Sequence, residues 1–193
     1  MTDSTLILRG LRRLENARSL DGAADVLRRA SAAVTAAGPP RDILQGRQLG
    51  HPVHAALAMA PVGAWMSSVL LSRDGHGPAA RTLLRFALLS APVVGLAGVA
   101  DVGRLDHARR RVAAVHVASN VVAGTLGATA LVRSRAGDQP ARLLSWAGLG
   151  ALMAGGFLGG HLASRLDPPP PPSTAEDRPL GQLVSADEPG STP

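Results

Sequence analysis

Three stretches of this chain contain no Asp, Glu, Arg or Lys: residues 48–72, 112–132 and 143–164. Each is long enough to cross a bilayer as a helix, since a hydrocarbon layer about 30 Å thick takes roughly 20 apolar residues. A fourth apolar stretch, 86–100, lies between Arg85 and Asp101. It reaches spanning length if Arg85 snorkels to one interface and Asp101 sits near the other. The alternative, a very apolar soluble bundle, would have to hide all these windows from lipid within 193 residues. The expected fold is therefore all-α, a four-helix transmembrane bundle over residues 48–166. Its spans are expected near 52–72, 82–102, 112–132 and 143–164.

Residues 1–47 read as a basic amphipathic helical segment. Ile7, Leu8, Leu11 and Leu14 recur at helical spacing with Arg9, Arg12, Arg13 and Arg18 between them. Ala23, Val26, Leu27, Ala30 and Val34 repeat the pattern against Arg28 and Arg29. Ser19 or Asp21 is a candidate cap for the second helix, and Gly38-Pro39-Pro40 stops it. Helices of this kind suit a membrane surface; the alternative is a solvated hairpin packed on the rest of the protein. Residues 1–30 carry Asp3, Glu15, Asp21 and Asp25 and no continuous apolar run, so no signal peptide is expected. Pro168–Pro172 should form a short polyproline spacer. Residues 167–193 as a whole read as a proline-rich, acidic, disordered carboxy-terminal tail.

The connections near 73–81, 103–111 and 133–142 are short, so neighbouring spans must run antiparallel. The amino end, the 103–111 loop and the tail then share one side, called side A; the other two loops lie on side B. Arg41, Arg47, Arg104, Arg109, Arg110, Arg111 and Arg165 flank the spans on side A. Arg73, Arg81, Arg85, Arg133, Arg135 and Arg142 do so on side B. With Arg28 and Arg29 added, the positive-inside rule puts side A, and both termini, in the cytoplasm.

Composition removes several classes of chemistry. There is no Cys, so disulfides, thiolate nucleophiles and Cys-ligated clusters are excluded. All 20 basic residues are Arg, which rules out a Walker-type or Schiff-base lysine. The net charge of +6 does not point to nucleic acid, because the Arg residues bracket apolar spans and stacking aromatics are scarce. No Gly-x-Ser-x-Gly elbow and no paired carboxylates in the spans suggest a hydrolase. An enzyme is not the favoured class.

Topology gathers the polar groups. His51 and His54 open span one, Asp101 closes span two, His107 lies in the side-A loop, His116 and Asn120 begin span three, and His161 ends span four. Only His76 lies on side B. At about 1.5 Å per residue, His54, His116 and His161 sit roughly 5–10 Å inside their flanking Arg residues. Ionisable groups at that depth face the bundle interior and are functional candidates. His54, His116 and His161 are thus candidate ligands of a cofactor or metal. His51, Asp101 and Asn120 are candidates to orient them, although Pro52 also makes His51 a plausible helix-start residue. Span four carries small residues four apart, Gly155 with Gly159 and Gly156 with Gly160, which read as helix-packing positions; the alternative is that they leave room for a flat cofactor.

The ordered set Leu49-Gly-His-Pro-Val-His54, Gly98-Val-Ala-Asp101, His116-Val-Ala-Ser-Asn120 and Gly159-Gly-His-Leu162 resembles the bacterial membrane family called domain of unknown function 2231. The resemblance covers about residues 41–166. It implies a four-span domain in a bacterial plasma membrane, sometimes fused in relatives to a Rieske-type iron–sulfur domain. This chain departs from the pattern: Val102 stands where members carry Trp, and Ala163-Ser-Arg-Leu-Asp-Pro168 replaces a Tyr-Arg-His-Gly stretch. Its tail has neither Cys nor His, so a Rieske partner would be a separate chain.

Two functional expectations follow. One is a membrane redox or metal-binding module, with a b-type haem or a divalent metal held by the His cluster. The other is a non-catalytic membrane scaffold in which the cluster is structural or pH-sensing, and basic amino-terminal helices meet a partner or anionic lipid.

Overall fold

The structure, a computed structural model, describes residues 3–36, 53–134 and 139–164. The four apolar windows fold as α3 (Val53–Arg73), α4 (Gly77–Val102), α5 (His107–Arg133) and α6 (Gln139–Ala163). Ahead of them come α1 (Asp3–Asn16) and α2 (Asp21–Thr35), joined through one 3-10 turn at Arg18–Leu20. No strand occurs among the described residues. His51, the polyproline run and the tail 167–193 lie outside them.

All four long helices are long and apolar enough to cross a membrane. Their large apolar side chains point outward: Leu89 is 79% exposed and Met59 73%, with Val132 and Leu143 close behind. A water-soluble bundle would bury such groups; a bilayer is the solvent in which leaving them outside costs nothing. The interior is built from small residues, among them Ala87, Ala97, Ala100, Ala113, Ala123 and Ala130. Between lipid-bathed helices there is no hydrophobic drive to associate, so close backbone approach over small side chains supplies the attraction.

Three helices start ahead of their apolar windows, α6 at Gln139. α4 starts at Gly77, with Pro78 in its first turn, where a missing N–H is harmless. α5 starts at His107 because Asp106 caps it, its carboxylate accepting from the Arg109 N–H at 2.8 Å. Between α3 and α4 the chain turns at Gly75, whose φ of 84° favours glycine. The His76 N–H then returns to the Leu71 carbonyl at 2.9 Å and closes the end of α3.

The helices form two antiparallel hairpins, α3–α4 and α5–α6, which meet along α4–α5 and α3–α6. Trp65 of α3 joins them. It is 3% exposed and donates its indole N–H to the Ser145 carbonyl of α6 at 3.2 Å. Its ring lies against Gly127 and Gly148, where even a methyl group would collide with it.

The amino-terminal pair rests on the side-A end of the bundle. Leu11 joins a core cluster with Leu105, Val112, Ala113, Leu158 and Leu162, and Leu14 and Leu27 pack against it. The face that α2 buries keeps Leu27 of the expected apolar set but departs from it elsewhere. Val26 is exposed, whereas Ala24 and Ser31 are buried. Ser31 sits over the α4–α5 loop: its hydroxyl accepts from the Gly103 N–H at 2.9 Å and donates to the Ala100 carbonyl. A larger side chain there would push the helix off the loop, so size outranks hydrophobicity at this contact. Neither Ser19 nor Asp21 caps α2. The N-cap position is Leu20, and the Asp21 carboxylate turns instead to Arg111 of α5 at 2.5 Å.

Candidate functional site

Between the two hairpins lies an apolar chamber of about 400 Å³, lined by all four long helices. It runs from His54, Asp101 and His116 near side A to Trp65 deep in the bundle. On α5 it extends from Ala113 to Gly124, about 16 Å at 1.5 Å per residue. The space exists because the walls are small. Ala91, Gly95, Gly124 and Gly156 line it, and a methyl added at any of the three glycines would touch nothing.

The head of the chamber is polar. His54 of α3 and His116 of α5 come together with ring centres 6.3 Å apart and planes at 86°. Each ring is held by a neighbouring helix through Nδ1: His54 to the Val94 carbonyl of α4 at 2.9 Å, His116 to the Gly155 carbonyl of α6 at 2.6 Å. A carbonyl can only accept, so Nδ1 carries the proton in both rings and the lone pair of each neutral ring is on Nε2. The Asn120 side-chain amide, one turn along α5, donates to His116 Nε2 at 3.1 Å.

Glycines let the rings in. Gly98 of α4 faces His54, Gly159 of α6 faces His116, and Gly155 faces Asn120, each so close that a Cβ atom would overlap the side chain. The two expected small-residue pairs on α6 therefore part company. Gly155 and Gly159 receive α5, whereas Gly156 and Gly160 have open space where a side chain would start. This is a geometric consequence of helix periodicity, since neighbouring positions lie 100° apart on the helix.

Asp101 is 5% exposed, lines the same chamber, and lies within electrostatic reach of His54. Its carboxylate accepts from Arg104 at 3.4 Å. His161 does not line the chamber. It faces Glu15 of α1 at 3.7 Å, because docking of α1 through Leu11 brings that carboxylate over the end of α6. His107 is a partner of Asp21 at 3.8 Å, and His76 precedes α4 on side B. Of the expected cluster, the structure thus brings together His54, His116, Asp101 and Asn120, separates His161, and leaves His51 outside the described residues. Among the described residues no three His, Asp or Glu side chains are placed to share a metal ion.

Sequence reasoning missed the two carbonyls that orient the rings, at Val94 and Gly155, because every residue offers a carbonyl and nothing in a side chain marks the one that will be used. It also missed Trp65 as the floor of the chamber. Its signal was available: Trp65 is one of only two tryptophans, in the middle of an uncharged window.

Outside the spans, Arg111 fixes the amino-terminal pair. Its guanidinium donates to Asp21 and also to the Glu15 carbonyl at 2.7 Å. The hydrogen bond from Arg111 holds the Asp21 carboxyl below the ordinary aspartate range, with further help from the charges of Arg111, His107 and Arg18. No family model, curated protein or solved structure matches the chain.

Proposed function

We propose that this chain is a membrane-embedded redox module that holds a b-type haem between His54 and His116. The observation that carries the reading is that both imidazoles commit Nδ1 to a main-chain carbonyl of a neighbouring helix. That is how proteins orient ligating histidines, leaving Nε2 to bind. The ring spacing is within reach of one ion bound to both at roughly 2 Å per bond. Only two ligands converge, which suits a haem, whose macrocycle brings its own four donors, better than a bare divalent ion wanting four from the protein. Apolar walls trimmed to glycine and alanine accommodate a flat ring, and 400 Å³ is within the range of small-molecule and cofactor chambers. Asn120 would yield His116 Nε2 on binding and remain as a polar neighbour. A bound haem supplies one-electron transfer; the protein supplies position and a low dielectric. The resemblance to domain of unknown function 2231, the cytoplasmic placement of side A and a separate Rieske-type electron partner belong to the same proposal.

The second reading, a scaffold, is favoured by the Asn120–His116 hydrogen bond, which satisfies His116 entirely within the protein. It makes the two rings a clasp between hairpins, held by buried polar bonds. An absorption spectrum decides. Protein expressed with added haem precursor and purified in mild detergent is expected to show a Soret band. His54→Ala and His116→Ala should each abolish it while leaving the protein in the membrane, and His76→Ala should not change it. A colourless wild type would leave the scaffold as the better account.

A further inference from the structure

A second chamber, of about 210 Å³, opens at the opposite end of the bundle. All four long helices contribute their side-B ends: Ser68 and Ser72 from α3, Arg81 from α4, Ser134 just past α5, and Arg142 and Ser145 from α6. Two arginines on different helices thus line one space with four hydroxyl-bearing residues, and among the described residues no carboxylate lines it. Among the described residues neither Arg81 nor Arg142 forms an ion pair. Ser68 and Ser134 spend their hydroxyl protons on the Ala80 and Leu131 carbonyls, so their oxygens keep lone pairs. Those of Ser72 and Ser145 donate to no described residue.

The helix dipoles do not decide the sign of the field here. Two helices begin at this end and two finish, so their terminal partial charges offset. Among the described residues that line the chamber Arg81 and Arg142 are the charged ones, and guanidinium is the cation whose planar fork matches phosphate oxygens. The level along the bundle agrees. Arg81 and Arg142 lie within the first turns of α4 and α6, where spans leave the hydrocarbon and lipid phosphates lie. We infer that this chamber binds a tetrahedral phosphate group, gripped between Arg81 and Arg142 with Ser72 and Ser145 donating to its oxygens. The group is carried either by a phospholipid headgroup or by a free phosphate.

The test titrates the full chain in nonionic detergent and follows its thermal unfolding midpoint. Ligands are inorganic phosphate, a short-chain phosphatidic acid, and the matching phosphatidylcholine as a zwitterionic control. A ligand that binds only the folded state raises the midpoint saturably and yields a Kd. A saturable rise with phosphatidic acid alone assigns the site to lipid; saturation by inorganic phosphate assigns it to the free anion. In either case R81Q/R142Q should weaken the Kd by about tenfold or more, the scale of one lost charge-assisted hydrogen bond. R9Q/R13Q, which removes two exposed Arg from α1, should leave it unchanged. Should the double variant not fold, Arg142→Gln alone, at an exposed position, is expected to weaken binding several-fold. No saturable rise with either phosphate compound, or equal Kd values in wild type and in the folded Arg variants, overturns the proposal.

Discussion

Four interior side chains of this bundle are seated on glycines of other helices. His54 lies on Gly98, His116 on Gly159, Asn120 on Gly155 and Trp65 on Gly127 and Gly148. A ring between two helices needs the facing backbone to come close, and only a missing Cβ allows it. Gly95, Gly124 and Gly156 do the opposite job, leaving the chamber its space. The distinction gives a paired prediction. Gly127→Ala drives a methyl group into the Trp65 ring and should cost about 1–3 kcal/mol, the usual price of overpacking. Gly124→Ala, three residues earlier on the same helix, meets nothing and should be neutral or stabilising by up to about 1 kcal/mol. Reversible unfolding of both variants in micelles measures the difference; equal effects would refute these roles. The excess of small residues on span four was legible in the chain. Which glycine of each neighbouring pair receives a ring was not, since that depends on how far each helix is rotated about its axis.

At the scale of elements, the amino-terminal hairpin is the part whose position depends on charge. The Asp21–Arg111 bond ties α2 to α5, and Arg111 also reaches the end of α1. Because Asp21 is held below the ordinary range in the folded state, the bond's contribution is complete above the unfolded aspartate value of about 3.9. It is lost as pH falls through the lower folded value. Hydrogen exchange in α1 and α2 should therefore be slow at pH 7 and accelerate below about pH 4 relative to the spans, after correction for intrinsic rates. Asp21→Asn should exchange faster already at pH 7 and show a weaker acid response. An unchanged profile in that variant would assign the docking to Leu11 and Ser31 alone. The sequence pattern reveals two amphipathic basic helices. It does not reveal that Ser31 would be buried and Val26 exposed, because a loop backbone to be covered is not written in the helix that covers it.

At the scale of the whole molecule, the antiparallel order puts the α3–α4 and α5–α6 connections on one face of the membrane. Reporter fusions at Gly75 and Asp138 should give the same signal, external in the expected orientation, and one at the amino terminus the opposite. Opposite signals from Gly75 and Asp138 would break the four-span topology. That topology follows from the chain alone. Backbone groups in hydrocarbon must be satisfied within their own segment, so four long apolar windows become four helices, and short connections reverse their direction. The bringing of His54 and His116 to one depth follows from the same count. What only the tertiary structure decides is rotation and approach. A span bathed in lipid is apolar on nearly every side, so periodicity cannot mark its inner face as it does in water. Packing marks it instead: glycines receive rings, alanines meet, and the chamber is what remains. That choice points His54 and His116 at each other, and the docking of α1 turns His161 to Glu15. The contact that settles His161 joins residues at opposite ends of the chain, and only the folded molecule brings them within reach.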